Sequence, residues 1–278
     1  MDMASTIVNG QAVPAFFYGT AWKEDATASC VDMALAAGFR AIDTANQRKH
    51  YHEAGVGEAV RRWFATNPRD SLFLQTKFTY ARGPDHRLPY DPTAAPAEQV
   101  RQSFRRSLEH LGVDTIDSLV LHGPELGRGL TRSDDEVWRT FETLRDEGRV
   151  AFLGISNVTP TQLELLLRRA RTAPAFVQNR CYASRGWDAD VRAICDEHAI
   201  RYQGFFLLTA NKKLVAGPLV REIAARVGAA PEQVVFRFAL HVGMIVLTGT
   251  TNPAHMREDL SCTGFALTDA EVGAIRRG

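Results

Sequence analysis

The stretch Gly38–Glu53, GFRAIDTANQRKHYHE, decides the fold and contains the first candidate site residues. A short apolar segment, residues 40–42, has the composition of a buried strand and ends at Asp43. A polar, turn-rich loop follows and carries Tyr51, after which apolar residues recur at helical spacing from Val56. A carboxylate at a strand end and a tyrosine on the next loop are typical of the catalytic face of a (β/α) barrel. For Asp43 alone, an N-cap of the next helix is an equally good interpretation.

Outward from this stretch, apolar strand-like runs alternate with helical patterns along the whole chain. Strands that are apolar on both faces indicate a parallel sheet, and eight repeats favour its closure into a TIM barrel. An open doubly wound sheet is the alternative, but neither G-x-G-x-x-G nor a P-loop occurs. We therefore predict an α/β fold, a single (β/α)8 barrel domain over residues 1–278. The predicted strands are 40–42, 72–77, 116–121, 150–155, 176–177, 200–206, 244–247 and a minimal eighth strand at Phe265.

Local signals place the other elements. An Asn9-Gly10 turn between two short strand-like runs predicts an N-terminal hairpin over Thr6–Val13. The pair Ser133 and Glu136 has the spacing of a capping box at a helix start. The segment 80–96 is long for a βα turn and is interpreted as a functional or lid loop. Helices are predicted over 25–37, 56–64, 97–111, 133–147, 160–171, 188–198, 219–227, 231–241, 253–260 and 269–277.

Composition excludes several classes of function. The 278 residues carry a formal net charge of +1, whereas binding to nucleic acid or to an anionic membrane needs a basic excess. No apolar run approaches the ~20 residues that span a bilayer, and the start lacks the pattern of a signal peptide. The four cysteines are scattered without a Cys-x-x-Cys pair, which indicates reduced thiols and no metal site. These features predict a cytoplasmic protein.

Four polar residues would meet at one rim of the barrel. The ends of consecutive strands form a ring there, so Asp43, Lys77 and His122 would be neighbours, with Tyr51 on a loop beside them. A phenol has an unperturbed pKa near ~10 and donates protons poorly at neutral pH. We expect Lys77 to lower the pKa of Tyr51, and Asp43 to keep Lys77 charged. With His122 hydrogen-bonded to a carbonyl oxygen, such a set can protonate a forming alkoxide, as carbonyl reduction requires.

Each of these residues also has a plain structural interpretation. Lys77 can be a solvated charge at a strand end, and His122 a satisfied core histidine. Tyr51 can be a packing residue, because Tyr18 and Tyr80 lie in comparable loops. The catalytic interpretation therefore depends on the four residues acting as a set.

Six segments of the chain have a distinctive order and spacing. They are GFRAIDTA (38–45), LFLQTKF (72–78), IDSLVLHGP (116–124), GISN (154–157), VQN (177–179) and GTTNPAHMRED (249–259). Together they resemble the aldo-keto reductase family over nearly the whole chain. The resemblance implies a (β/α)8 barrel whose bottom is closed by the N-terminal hairpin. It also implies an enzyme that reduces aldehydes and ketones with NADPH or NADH, in which tyrosine donates the proton and lysine, aspartate and histidine assist.

The same resemblance implies a cofactor site. Ser156, Asn157 and Gln178 would hold the nicotinamide carboxamide, and Phe205 would stack under its ring. Residues 248–251 would meet phosphate through hydroxyls and helix N-terminal amides. The plain structural interpretations are loop polarity for the carboxamide group of residues, core packing for Phe205 and an ordinary helix cap for residues 248–251. The full set implied to contact the cofactor is Gly19, Thr20, Asp43, Ser156, Asn157, Gln178, Phe205, Thr248, Gly249, Thr250, Thr251, His255, Glu258 and Asp259.

The chain departs from the family pattern at three points. The loop that carries Tyr51 is longer than usual, so either Tyr51 or His50 takes the donor's place, and we favour Tyr51. Gly249 and His255 replace the lysine and arginine that grip the 2′-phosphate of NADPH, which weakens that clamp and makes NAD(H) possible beside NADP(H). Residues 206–207 are Phe-Leu instead of Ser-Pro, which alters the wall for the pyrophosphate.

Three functional hypotheses remain open. The first is an NAD(P)H-dependent reductase of small-molecule carbonyls, acting as a monomer or weak homo-oligomer. The second is a cofactor-binding regulatory barrel with little catalysis, motivated by the long Tyr51 loop and the weakened clamp. The third, weaker hypothesis is a lyase or isomerase that uses Lys77 as a Schiff-base amine. The sequence does not identify the substrate.

Overall fold

A computed structural model describes residues 5–83 and 85–277. The sequence-based expectation about the start of the chain, at residues 1–4, and the part of the predicted lid loop at Pro84 lie outside this range. Within it, no helix has the length and apolar character to cross a membrane. The strands are β1 (Ser5–Val8), β2 (Gln11–Pro14), β3 (Phe16–Gly19), β4 (Ala41–Asp43), β5 (Phe73–Phe78), β6 (Ile116–Leu121), β7 (Val150–Ser156), β8 (Phe176–Arg180), β9 (Arg201–Phe205) and β10 (Ile245–Thr248).

The prediction of a (β/α)8 barrel is confirmed. Eight parallel strands close in the order β10-β3-β4-β5-β6-β7-β8-β9. Their side chains are mostly buried because helices cover the outer face and neighbouring strands fill the interior; all six residues of β5 are buried. The helices are α1 (Thr27–Ala37), α2 (Glu53–Phe64), α3 (Pro96–Leu111), α4 (Arg132–Asp146), α5 (Pro160–Arg169), α6 (Ala189–Glu197), α7 (Lys212–Val215), α8 (Pro218–Val227), α9 (Pro231–His241), α10 (Pro253–Ser261) and α11 (Asp269–Arg277).

The N-terminal hairpin is also confirmed. β1 and β2 pair in antiparallel register around Asn9 and Gly10, both of which have positive φ, as a two-residue hairpin turn requires. Val8 and Val13 are buried and belong to the same apolar cluster as residues from the N-terminal ends of the barrel strands. The hairpin therefore covers the end of the barrel opposite to Asp43 and Lys77.

Two sequence-based predictions were wrong. Phe265 is not part of a strand. It follows a short 3₁₀ turn, and its side chain packs partly buried against the core. The missing barrel strand is β3, which pairs with both β4 and β10 and closes the ring. The capping box of α4 is formed by Thr131 and Asp134, not by Ser133 and Glu136, since the helix begins one residue earlier than predicted. The short helix α7 was not predicted.

The predicted lid loop is firmly attached to the barrel at several points. The hydroxyl of Tyr80 donates to Asp134 at 2.9 Å, and that of Tyr90 donates to the carbonyl of Thr79 at 2.7 Å. Both tyrosine rings are buried against Phe78. These contacts make the segment a wall of the barrel mouth.

Candidate active site

A buried ion pair at the ends of β4 and β5 forms the base of the site. Lys77 donates to both carboxylate oxygens of Asp43 at 2.6 Å and to the carbonyl of Thr44 at 2.8 Å. The side chains are 0% and 4% exposed, respectively, so neither charge is hydrated. Removing a charge from water is costly, and the close contact with the opposite charge offsets that cost. The three N–H donors of the ammonium group are thereby all used.

A layer of buried amides below this pair holds Asp43 in place. Oδ1 of Asp43 accepts from Nε2 of Gln75 at 2.7 Å and from Nε2 of Gln178 at 3.0 Å. Both amide groups also donate to Oε1 of Gln203, each at 2.9 Å. Ser118 completes the layer by donating to Gln75. The layer thus links side chains of β5, β6, β8 and β9 to Asp43. Sequence reasoning had not assigned Gln75 or Gln203 to the site.

The lengthened loop brings Tyr51 to this pair. The centre of the Tyr51 ring lies 5.3 Å from Nζ of Lys77 and 5.8 Å from the centre of the His122 ring. His50, the competing candidate, packs against Trp22, with ring centres 4.1 Å apart. Gln47 shapes the turn, because its side chain accepts from the backbone of His50 and its carbonyl from that of Tyr51. Asp43, Tyr51, Lys77 and His122 therefore lie together, as the sequence predicted.

Electrostatics at the site differ from the expectation in one respect. Burial, with a further contribution from the Asp43 carboxylate, raises the pKa of Tyr51. The net direction is opposite to the lowering that we expected from Lys77, because burial disfavours the charged phenolate. Burial also lowers the pKa of Lys77. The pKa of His122 falls to about 3, first through burial and then through the charge of Lys77, so its imidazole is neutral at physiological pH.

A hydroxyl group that the sequence analysis missed contacts the histidine. Oγ1 of Thr79, one residue beyond β5, lies 2.8 Å from Nδ1 of His122. The partner of one imidazole nitrogen determines which nitrogen carries the proton in the neutral ring. Thr79 is therefore placed to determine whether Nε2 of His122 acts as a donor. Only the long-range pairing of β5 with β6 reveals this contact.

The residues expected to hold the carboxamide lie together at the ends of β7 and β8. Ser156 donates to the backbone carbonyl of Gln178 at 2.6 Å, and Asn157 donates through Nδ2 to the carbonyl of His122 at 2.8 Å. Within the described residues, Oδ1 of Asn157 and Oε1 of Gln178 accept no hydrogen bond from the protein. Both oxygens are thus available to the N–H donors of a bound amide. Phe205 lies half-buried at the end of β9.

The β10 end meets the β3 end, where the phosphate contacts were expected. A Cβ at Gly249 would lie only 3.0 Å from the carbonyl oxygen of Gly19, so the two backbones approach closely. Thr248 is buried and donates to Asp259, while Thr250 and Thr251 lie nearer the surface. Nζ of Lys23 hydrogen-bonds the carbonyl of Gly249 and adds a cation that sequence reasoning missed.

The remaining cofactor candidates occupy different environments. Thr20 is fully buried and its hydroxyl donates to the backbone carbonyl of Asp43, so its side chain is not free for a ligand. His255 and Glu258 are exposed on α10. Asp259 is buried, and burial raises its pKa to about 6.

Metal and Schiff-base chemistry find little support at this site. Among residues 5–83 and 85–277, no group of His, Cys, Asp or Glu side chains could hold a metal ion. All four cysteines are buried and unpaired. A Schiff base on Lys77 would require an unprotonated amine with access to substrate, but the ammonium is buried and bonded to Asp43 and Thr44.

The fold and the site together define a class: a (β/α)8 barrel protein with titratable side chains gathered at the C-terminal ends of its strands, where barrel enzymes have their active sites. The chain belongs to the Aldo/keto reductase family, whose family model matches residues 14–277. The chain is therefore assigned to a family of oxidoreductases.

Individual relatives agree with this assignment. The 2,5-diketo-D-gluconic acid reductase B of a Corynebacterium species is 33% identical over 244 residues, which cover 87% of this chain and 80% of that protein. A 9,11-endoperoxide prostaglandin H2 reductase of Trypanosoma cruzi is 27% identical over 275 residues, covering 97% and 89%. The crystal structure of an aldo/keto reductase from Brucella melitensis superposes with a TM-score of 0.86 at 27% identity and covers 100% of this chain and 98% of that chain.

Proposed function

We propose that this protein reduces the carbonyl group of a small aldehyde or ketone with NAD(P)H, and that Tyr51 donates the proton. The observation that carries the proposal is the position of the Tyr51 ring, whose centre lies 5.3 Å from the Lys77 ammonium and 5.8 Å from the centre of the His122 ring. Two relatives named as reductases, of a diketo sugar acid and of a prostaglandin endoperoxide, support the reaction class but differ too much to specify a substrate.

The residues of this chain divide the proton chemistry among them. The raised pKa keeps Tyr51 protonated, so the donor form is present throughout the neutral range. As the proton leaves for the carbonyl oxygen, a phenolate develops beside the ammonium of Lys77, which stabilises it. Neutral His122 hydrogen-bonds the carbonyl oxygen and orients it. Solvent then returns a proton to Tyr51.

Several residues at the mouth of the barrel support the binding of a dinucleotide. When bound, that cofactor would supply the hydride to the carbonyl carbon. The open oxygens of Asn157 and Gln178 match the amide of a nicotinamide, and Phe205 offers an aromatic face. On the opposite side of the mouth, Lys23 and the N-terminus of α10 offer positive charge to phosphate groups.

Cofactor choice follows from the absence of a cationic clamp at two positions. Gly249 has no side chain, and His255 is exposed on α10. Neither can provide the charge-assisted bidentate contact that favours a 2′-phosphate. We therefore propose that NADH binds nearly as well as NADPH, with dissociation constants within about tenfold of each other.

A Tyr51→Phe variant tests the proposal directly. It should bind NADPH and NADH as the wild type does, because the ring and its packing remain. Its kcat with a panel of aldehydes and ketones should fall about 10²- to 10⁴-fold, the usual contribution of a general acid. Fluorescence titration measures the binding and loss of NAD(P)H absorbance measures the turnover.

His50→Gln is the matched comparison, since His50 is the alternative donor on the same loop. Its kcat should remain within about threefold of wild type, because the His50 ring packs against Trp22, whereas the Tyr51 ring lies beside Lys77. If Tyr51→Phe kept a near-normal kcat while the kcat of His50→Gln fell steeply, His50 and not Tyr51 would be the proton donor. Tight cofactor binding without reduction of any carbonyl would instead favour a regulatory barrel.

A further inference from the structure

A small cavity opens at the barrel mouth on the β8 side, next to the residues expected to hold the carboxamide. Its volume is about 230 Å³, enough for a carboxylate or phosphate group with several attached carbon atoms. The function proposed above does not use it. Its lining consists of Asn157, Asn179, Arg180, Tyr182, Arg185 and Asp188.

Two guanidinium groups meet around one tyrosine in this cavity. Nη1 of Arg180 donates to the hydroxyl of Tyr182 at 3.2 Å, and Cζ of Arg185 lies 4.9 Å from the centre of the Tyr182 ring. Arg180 also lies over the ring of Phe206, with Cζ 4.5 Å from its centre. Stacking on aromatic faces fixes a guanidinium while its N–H edge stays free for an oxyanion.

Within residues 5–83 and 85–277, neither Arg180 nor Arg185 forms an ion pair, whereas many other arginines do. The carboxylate in the lining is Asp188, and its Oδ2 already accepts from Asn179 at 2.8 Å and from Tyr202 at 2.9 Å. Like charges held close together repel each other, and a bound anion would relieve that repulsion.

Backbone strain is concentrated at the same place. Asn157, Asp188 and Phe206 have φ values of 53°, 55° and 58°, in the left-handed region that residues other than glycine rarely adopt. Such conformations cost free energy and are found preferentially at ligand-binding sites. Here they turn the ends of β7 and β9 and the start of α6 around the cavity.

The cavity adjoins the site of the proposed reaction. Asn157 lines it and donates to the backbone carbonyl of His122 at 2.8 Å. Arg180 ends β8 two residues after Gln178, and its Cζ lies 5.8 Å from the centre of the Phe205 ring. A molecule whose carbonyl group lies near His122 could therefore extend over Asn157 and place a second group beside the arginines.

From this arrangement we propose that Arg180 and Arg185 bind an oxyanion of the substrate, so that the preferred substrates are aldehydes or ketones with a carboxylate or phosphate group. The assignment rests on the proposed reductase function for the carbonyl end. The assignment of the anionic group depends only on the two arginines and can be tested by binding, without turnover.

The turnover test compares terephthalaldehydic acid with its uncharged methyl ester. The wild type should reduce the acid with the lower KM. In the double variant Arg180→Gln/Arg185→Gln, kcat/KM for the acid should fall about 10- to 100-fold, mainly through KM, while that for the ester stays within about twofold. Both side chains are exposed, so the variant should fold normally, and an unchanged melting temperature checks this. Arg168→Gln, an exposed arginine on α5, should not change the ratio of acid to ester.

A binding test separates this proposal from the reductase proposal. Benzoate titrated calorimetrically into the free protein should bind at least tenfold more tightly to the wild type than to the double variant. Benzoate binding without any turnover would contradict the reductase function alone. Equal benzoate affinities, or an unchanged acid preference in the double variant, would overturn the subsite. Weaker NADH binding with an unchanged acid preference would do so as well, since the arginines would then meet the cofactor's diphosphate.

Discussion

The two halves of the barrel interior differ sharply in chemistry. The half near the N-terminal hairpin is filled by phenylalanines, with Phe73 at 5.3 Å, 5.9 Å and 6.1 Å from Phe17, Phe152 and Phe176 between ring centres. The half near the loops is filled by the Asp43–Lys77 ion pair and its layer of buried amides. The same strands build both halves, since Phe73 and Lys77 are four residues apart in β5.

The contrast separates residues that stabilise the barrel from residues that perform chemistry. Aromatic rings gain free energy by leaving water and need only complementary shape. A buried ion pair gains little net stability over an apolar replacement, so its presence at the mouth points to function. Substitutions in the lower half should therefore affect stability without affecting turnover, and substitutions in the upper half should affect turnover most.

The largest effect is expected for Lys77→Met. Removing one partner leaves the Asp43 carboxylate buried and uncompensated, which should lower the free energy of unfolding by about 3–5 kcal/mol. Turnover should fall more than about 10³-fold, since Tyr51 loses the ammonium that stabilises its phenolate. Urea unfolding and NAD(P)H oxidation measure the two losses.

The double variant Asp43→Asn/Lys77→Met separates charge from packing. Its asparagine keeps an oxygen for Gln75 and Gln178 while the buried charges are gone. At least half of the lost stability should return, but the turnover should not. If turnover returned with stability, the ion pair would be structural and the contrast between the two halves would disappear.

Phe73→Ala in the lower half should affect stability as Lys77→Met does, but it should have a much smaller effect on turnover. The cavity left among three phenylalanines should lower the free energy of unfolding by about 3–5 kcal/mol. Turnover per folded molecule should change less than threefold at a temperature where the variant stays folded. Phe73→Leu is the matched control and should lose less than about 1.5 kcal/mol. A large loss of kcat in a fully folded Phe73→Ala variant would show that the halves are coupled.

The sequence predicted the strands that deliver Asp43, Lys77 and His122 because each contains several apolar residues and is followed by a polar residue at its end. The prediction failed at Phe265, because the strand that completes the barrel is β3, and its membership depends on how it pairs with β10. That pairing joins residues more than two hundred positions apart and leaves no local pattern.

The same limit applies to the site. Gln75 and Gln203 lie in ordinary strand sequences, and only their contact across 128 positions makes them a layer. Likewise, the contacts of Lys23 with Gly249 and of Arg180 with Phe206 join distant parts of the sequence, so no local spacing predicts them. The raised pKa of Tyr51 could not be foreseen, because the extent of burial is a property of the packed loop.

The smallest effect expected in the upper half is that of Thr79→Val, which removes a hydroxyl but keeps the shape. The hydroxyl of Thr79 should donate to Nδ1 of His122, so that the proton of the neutral ring resides on Nε2, facing the mouth. Without it the two tautomers mix, and kcat should fall about fivefold to tenfold, the value of one hydrogen bond, with little change in KM. Nitrogen NMR shifts of the His122 ring report the tautomer directly.

Because the pKa of His122 is lowered to about 3, its ring should stay neutral in both proteins above about pH 5, so the difference cannot arise from a change in charge. Thr79→Ser, which retains the donor, should restore both the NMR shifts and the rate. A Thr79→Val protein with wild-type shifts would assign the tautomer to another partner and reduce Thr79 to a packing residue.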